Sequence, residues 1–187
     1  MENGYILTEP SDAKGRTKAM FETAEKVFGF VPNLFKALDD SPVTGNAILA
    51  LYALIPETAF TPTEQHVVFQ TTNVLNECHY CVPAHSTIAR SNGVAEDIDE
   101  ALRNGRSLAD PKLEALRQFT ALSTENRGQI TPEQFNAFIQ AGWSRGAALE
   151  VTLLVGLKTL TNYTNHLTEV RIDEVFEPLA WTPEAVS

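Results

Sequence analysis

At Ser41-Pro42, Thr61-Pro62, Asp110-Pro111 and Thr131-Pro132 a small polar residue stands directly before proline. Such a pair marks a helix start. Proline at the first helical position lacks an amide hydrogen that would go unpaired there, and its fixed φ already suits the helix. Thr61-Pro62-Thr63-Glu64 completes a capping box, and Glu133 follows the last of the four prolines. Stop signals come at sensible distances: Gly29, Asn92-Gly93, Gly105, Gly128 and Gly142. The punctuation predicts helices over residues 12–28, 33–39, 42–54, 62–75, 79–91, 95–103, 111–125, 132–141 and 145–167. No segment alternates with period two between hairpin turns, and no long repeat or low-complexity linker interrupts the chain. The expectation is an all-α, single-domain helical bundle. The stretch after Phe176, with Pro178 and Pro183, reads as an extended tail whose Leu179 and Trp181 could dock on a neighbouring surface.

Charge narrows the partners. A formal net charge of −10 opposes nucleic acid or an anionic membrane, both of which need a basic surface. Val151–Leu157 is the longest strongly apolar run and is too short to span a bilayer. Met1-Glu2-Asn3-Gly4 lacks the basic and apolar regions of a signal peptide, so the expected location is cytoplasmic. In the 145–167 helix Ala147, Ala148, Val151, Leu154, Val155, Lys158 and Asn162 fall at helical spacing, with apolar residues around much of the circumference. Such a helix is central in a core or lies at a subunit interface. A homo-oligomer is therefore expected.

Both cysteines of the chain sit in one run, Glu77-Cys78-His79-Tyr80-Cys81-Val82-Pro83-Ala84-His85. A bridge across so short a loop would constrain little, so a structural disulfide explains the pair poorly. On a helix Cys78, Cys81 and His85 share a face about 60° wide, while His79 and Tyr80 point elsewhere. Proline is tolerated only in a first turn, so Pro83 places the helix start near Cys78 or His79. Both sulfurs then lie among unpaired amides that favour a thiolate. His85, one turn beyond Cys81, is positioned to take its proton as a general base. Zinc is the competing reading: Cys78, Cys81 and His85 supply three ligands, and His79 or His66 a fourth. Structural zinc sites, however, draw ligands from two knuckles, and the chain has one. His166, beside Asn162 and Asn165, reads as a satisfied polar contact at a helix interface, and His79 as a surface residue near a pocket mouth.

The run Thr61-Pro62-Thr63-Glu64-Gln65-His66-Val67-Val68, leading to Asn76-Glu77-Cys78-His79-Tyr80-Cys81-Val82-Pro83-Ala84-His85-Ser86, resembles the alkylhydroperoxidase D-like branch of the carboxymuconolactone decarboxylase family. Ala141-Gly142-Trp143-Ser144 and Asn162-Tyr163-Thr164-Asn165-His166 resemble its C-terminal pattern, so the likeness spans residues 30–180. It implies an all-α homo-oligomer, a trimer or multiple of one, with a dimer also compatible. It implies a cofactor-free, metal-free peroxidase in which Cys81 attacks a hydroperoxide and Cys78, the more exposed sulfur, resolves the sulfenic acid. His85 relays the proton, and the reductant is a dithiol on a lipoylated or thioredoxin-like protein. The chain departs from the family twice. Where the family has glutamate, twelve residues before the first cysteine, this chain has His66; the nearest carboxylate is Glu64. Register favours His66 as the relay, whereas helical periodicity places Glu64 on the stripe of Val67, Val68, Thr71 and Leu75. The family's histidine before the second cysteine is Tyr80 here. Two other functions fit the same residues: a non-catalytic redox-responsive oligomer, and a lyase or isomerase of the carboxymuconolactone decarboxylase type.

Overall fold

The structure, a computed structural model, describes residues 3–183. Among them every regular element is helical: α1 (Gly15–Phe28), α2 (Asn33–Lys36), α3 (Pro42–Leu54), α4 (Pro62–Leu75), α5 (Cys81–Ser91), α6 (Glu96–Arg103), α7 (Pro111–Glu125), α8 (Pro132–Gln140) and α9 (Arg145–Thr168). Short 3₁₀ segments cover Ile55–Glu57 and Glu174–Leu179. Proline opens α3, α4, α7 and α8 as the sequence requires. Thr61, Asp110 and Thr131 cap their helices through side-chain oxygens. Ser41 does not; its hydroxyl pairs with Thr44 at 2.9 Å. The box at Thr131 is closed by Gln134 rather than by Glu133.

Helix α4 is the centre of the fold. Its residues from His66 to Asn73 are all buried, because α5, α6, α7 and α9 surround it. The apolar α9 packs along α4 on one side only, so it is not the central helix. Its other side carries Leu149, Leu153, Gly156, Leu160, Tyr163 and Leu167, alternately four and three residues apart. Leu149, Tyr163 and Leu167 in that stripe are 74%, 61% and 58% exposed. On the far side of the site, Gly45 lets α3 meet α1: a Cβ there would lie 2.0 Å from the Met20 sulfur. That approach sets the position of α3, which carries Tyr52.

A Schellman motif ends α4 and places the first cysteine. Glu77 adopts a left-handed conformation with φ 50°. Its amide donates to the Val74 carbonyl at 2.9 Å, and the Cys78 amide donates to that of Asn73 at 3.0 Å. The chain after α9 docks as a strap at Leu179 and Trp181, and part of it is a 3₁₀ turn instead of an extended tail. Its 3₁₀ turn packs on α5, the Trp181 indole donates to the Arg103 carbonyl at 3.0 Å, and Arg103 donates to the Leu179 carbonyl at 3.1 Å. No helix among the described residues is long and apolar enough to cross a membrane.

Candidate active site

The site forms where α3, α5 and α9 meet beside α4. Helix α5 begins at Cys81, later than expected, with Tyr80 as its N-cap and Pro83 in its first turn. Cys78 precedes the helix and is held by the α4 terminus. The Cys81 amide donates to the Cys78 sulfur at 3.2 Å, which keeps the two sulfurs side by side at the helix end. The two thiols are unbridged. Asn165 of α9 donates to the Cys81 sulfur at 3.1 Å and lies 3.9 Å from that of Cys78. Its Oδ1 has no partner among the described residues, so its amide group is committed to the sulfur.

Lys158 is the residue that sequence reasoning passed over. It is 1% exposed, in the apolar middle of α9, and its Nζ lies 2.7 Å from His85 Nε2. Tyr52 Oη is 3.5 Å from the same nitrogen. Among the described residues Lys158 makes no salt bridge with any carboxylate. Its signal was a lone cation on an apolar stripe, a residue type almost never fully buried unless paired.

These contacts separate the titrations of the groups. Burial opposes ionisation of Cys81, but hydrogen bonding from Cys78, the charge of Lys158 and the amides of Asn162 and Asn165 outweigh it and bring its pKa down to about 6. Burial, reinforced by the neighbouring Cys81, pushes Cys78 far above the ordinary thiol range. His85 is held well below the ordinary imidazole value, first by burial and then by Lys158 and His66, so it is neutral. The charge of Lys158 survives burial because Tyr52, Cys81 and Cys78 favour it, leaving its pKa raised.

Two adjoining cavities serve the site. The outer one, about 400 Å³, is lined by Phe28, Tyr52, His66, Phe69, His85 and Phe176 among others. The inner one, about 40 Å³, is bounded by Phe35, Tyr80, Cys81, His85 and Lys158, and shares Phe28, Tyr52 and Phe176 with the first. Phe69 packs against His85 with ring centroids 5.0 Å apart.

The remaining candidates fall in different places. His66 lines the outer cavity and pairs with Asp99 at 3.0 Å; no hydrogen bond joins it to His85 or a cysteine among the described residues. Glu64 stays at the start of α4, where its carboxylate accepts the Thr61 amide at 2.8 Å and faces Lys112 at 3.8 Å. Several expectations need correction. Cys78 is not the more exposed sulfur: it is 0% exposed and Cys81 2%, because Cys78 is folded under the α4 terminus against α9. His166 is exposed on the outer face of α9 instead of filling a helix interface. His79, by contrast, is on the surface as expected, beside the strap and 6.0 Å from the Trp181 ring. Tyr80 donates to Asp173 at 2.5 Å and accepts from the Leu34 amide at 3.4 Å, tying α5 to the strap and to α2. A zinc site finds no geometry: among the described residues no three His, Cys, Asp or Glu side chains converge as ligands, and His85 Nε2 faces an ammonium group.

Behind the site runs a buried hydrogen-bond chain. Asp99 Oδ1 accepts from Ser86 at 2.8 Å and pairs with His66, while Oδ2 accepts from Arg90 at 2.7 Å. Gln70 donates to Ser86 at 2.8 Å and accepts from Asn73 at 3.2 Å. Asn73 in turn accepts from Asn162 at 2.9 Å, and Asn162 reaches Cys81. The amide that polarises the sulfur is thus oriented by a chain anchored on a carboxylate two helices away.

Comparison with known proteins agrees with this geometry. Residues 44–122 match the model of the Carboxymuconolactone decarboxylase family. No curated protein sequence matches. Among solved structures, the chain is similar to an alkylhydroperoxidase AhpD core, an uncharacterised peroxidase-related protein from Ralstonia eutropha JMP134. The TM-score is 0.80 at 21% identity, over 92% of this chain and 93% of that one. A peroxidase-related protein from Silicibacter sp. TM1040 gives 0.77 at 20% identity, over 94% and 95% of the two chains. The debrominase Bmp8 gives 0.74 at 19%, over 92% and 93%, and a variant of it is similar in complex with 2,3,4-tribromopyrrole. At these identities the likeness is one of fold.

Asp99 makes one prediction. Burial works against its charge, but the bonds from His66, Ser86 and Arg90 hold its pKa down to about 2. A depressed carboxylate contributes stability that is fully present above its unfolded pKa, about 3.9, and is lost as pH falls through the folded value. The free energy of unfolding should therefore drop by roughly 2 kcal/mol from Asp99 alone between about pH 4 and pH 2. In Asp99→Asn, denaturant titrations should show lower stability at pH 7 and a shallower fall over that window. An unchanged pH profile in the variant would remove Asp99 from this role.

Proposed function

We propose that this chain, an alkylhydroperoxidase D-like member of the carboxymuconolactone decarboxylase family, is a thiol-dependent peroxidase that reduces hydroperoxides. One observation carries the reading. Two unbridged thiols lie side by side at the start of α5, and only Cys81, the one facing the cavity, is poised to be a thiolate at neutral pH. A low-pKa sulfur is the nucleophile and a high-pKa neighbour the resolving thiol. Cys81 attacks the peroxide oxygen and becomes a sulfenic acid. Cys78 then displaces the hydroxyl to form a disulfide, which a dithiol on a lipoylated or thioredoxin-like protein reduces. Neutral His85 accepts a hydrogen bond from Lys158 beside the sulfur, and His66 faces the same cavity. Glu64 is committed to its helix cap.

The aromatic lining of the outer cavity and the likeness to a debrominase support a second reading, thiol-driven removal of bromine from a brominated pyrrole. The two share the nucleophile and differ in the product.

Steady-state turnover of cumene hydroperoxide with dihydrolipoamide tests the first reading. Wild type should consume peroxide, Cys81→Ser should lose at least a hundredfold, and Glu64→Gln, which can still close the box as Gln134 does at Thr131, should retain both activity and fold. Bromide release from tribromopyrrole without peroxide consumption would transfer the assignment to the second reading.

The exposed α9 stripe supports self-association. Its alternate four- and three-residue spacing is that of a coiled-coil seam, and a second copy of the same helix is its complement. Light scattering at micromolar concentration should return a particle larger than 20.6 kDa, and Leu149→Glu with Leu167→Glu should return the monomer mass. A monomeric wild type would contradict this.

A further inference from the structure

The mechanism above leaves one buried charge unused. Lys158 lies inside the protein with no carboxylate within ion-pair distance among the described residues. The groups that face it are Tyr52 from α3, His85 and Cys81 from α5, and Cys78 from the turn before α5; His66 of α4 acts on His85. Tyr80 bounds the same inner cavity and is bonded to Asp173 of the strap. The Phe69 ring, 5.9 Å away, adds only a weak attraction for the cation. His85 offers Lys158 a lone pair at 2.7 Å and no charge. Tyr52 is raised above its ordinary value, first by burial, and stays neutral. One anion remains within reach: the sulfur of Cys81.

An ammonium group buried without an anion loses its proton. Once Cys81 enters a disulfide, the anion is gone. We propose that Lys158 is the proton donor of the thiol chemistry, an ammonium ion while Cys81 is reduced and a neutral amine when the two cysteines are bridged. The proposal rests on the peroxidase reading for its substrate but not for its charge coupling.

The steps balance. The Cys81 thiolate attacks one oxygen of ROOH, forming an S–O bond and breaking the O–O bond. The alkoxide leaves with the electron pair and takes a proton from the Lys158 ammonium group, giving ROH, Cys81 sulfenic acid and a neutral lysine. Cys78 then displaces the hydroxyl: the S–S bond forms, the S–O bond breaks, and the Cys78 proton leaves with the hydroxyl as water. A dithiol reductant returns two electrons and two protons, one to Cys78 and the other to Lys158. The buried site is neutral before and after the cycle. His85 steers the lysine by accepting its hydrogen bond and, being neutral, does not compete for the charge.

Two measurements made together test this without relying on turnover. Absorbance at 240 nm reports the Cys81 thiolate; the pH dependence of the disulfide equilibrium against a dithiol reports protons taken up per two electrons. Wild type between pH 7 and 8 should show about nine-tenths or more of Cys81 as thiolate, from its pKa of about 6, and still take up two protons per two electrons. A thiolate and a thiol alone account for one. Lys158→Met should lose the thiolate signal to a few per cent at pH 7 and reduce peroxide at least a hundredfold more slowly. Lys158→Arg keeps a cation that cannot be deprotonated, so it should keep the thiolate while uptake falls to one proton. One-proton coupling in wild type, or a thiolate that survives in Lys158→Met, would overturn the proposal. Two-proton coupling with no peroxide turnover would sustain it and remove the peroxidase reading instead.

Discussion

A helix buried on every side must find a partner for each polar group it carries, and α4 carries His66, Gln70, Thr71, Thr72 and Asn73 in succession through the centre of the protein. Unpaired, each would cost about 1–3 kcal/mol. The solution fixes the neighbours. His66 and Gln70 draw in Asp99 of α6 and Ser86 of α5. Asn73 draws in Asn162 of α9, and Thr72 bonds back to the Val68 carbonyl at 2.9 Å. Only the Thr71 hydroxyl lacks a partner among these. The positions of α5 and α9, and hence of the cysteines and Lys158, follow from satisfying α4.

That polar spine reaches the sulfur at one end and a carboxylate at the other. Asp99 supplies the negative charge that orders the chain, with the Arg90 guanidinium beside it also pairing with Glu96 and Glu100. Because Gln70 is a donor to Ser86 and Val82, its oxygen must accept from Asn73, and the Asn73 oxygen must accept from Asn162. Every link thus donates toward Asp99, which fixes the orientation of the last amide, that of Asn162, and this amide together with Asn165 and the lysine favours the Cys81 anion. In a low-dielectric interior such oriented dipoles act strongly on a nearby charge. This explains how a sulfur only 2% exposed can be easier to ionise than a free thiol.

Much of the fold was legible because its signals are local. Ser41, Thr61, Asp110 and Thr131 before proline locate α3, α4, α7 and α8 to the residue at their starts, since cap chemistry needs only neighbours in sequence. The strap was legible in part: Leu179 and Trp181 marked it as able to dock, but nothing local shows that Trp181 will bond Arg103. Within the site, Cys78, Cys81 and His85 stood out by spacing. Lys158, Asn165 and Asp99 did not, since each matters through a contact distant in sequence. Asp99 hides in an acidic first turn that reads as solvated. The rivalry between His66 and Glu64 is a tertiary matter too: His66 turns inward because Asp99 waits there, and Glu64 turns back because its own cap claims it.

The central claim is that Cys81, and not Cys78, is the sulfur that meets the peroxide. Trapping of the first oxidation product decides it. Cys78→Ser treated with one equivalent of cumene hydroperoxide in the presence of dimedone should carry the sulfenic acid adduct on Cys81, seen by mass spectrometry of peptides, and Cys81→Ser should carry none on Cys78. An adduct on Cys78 in Cys81→Ser, with Cys81 unmodified in the companion variant, would reverse the assignment and contradict the account.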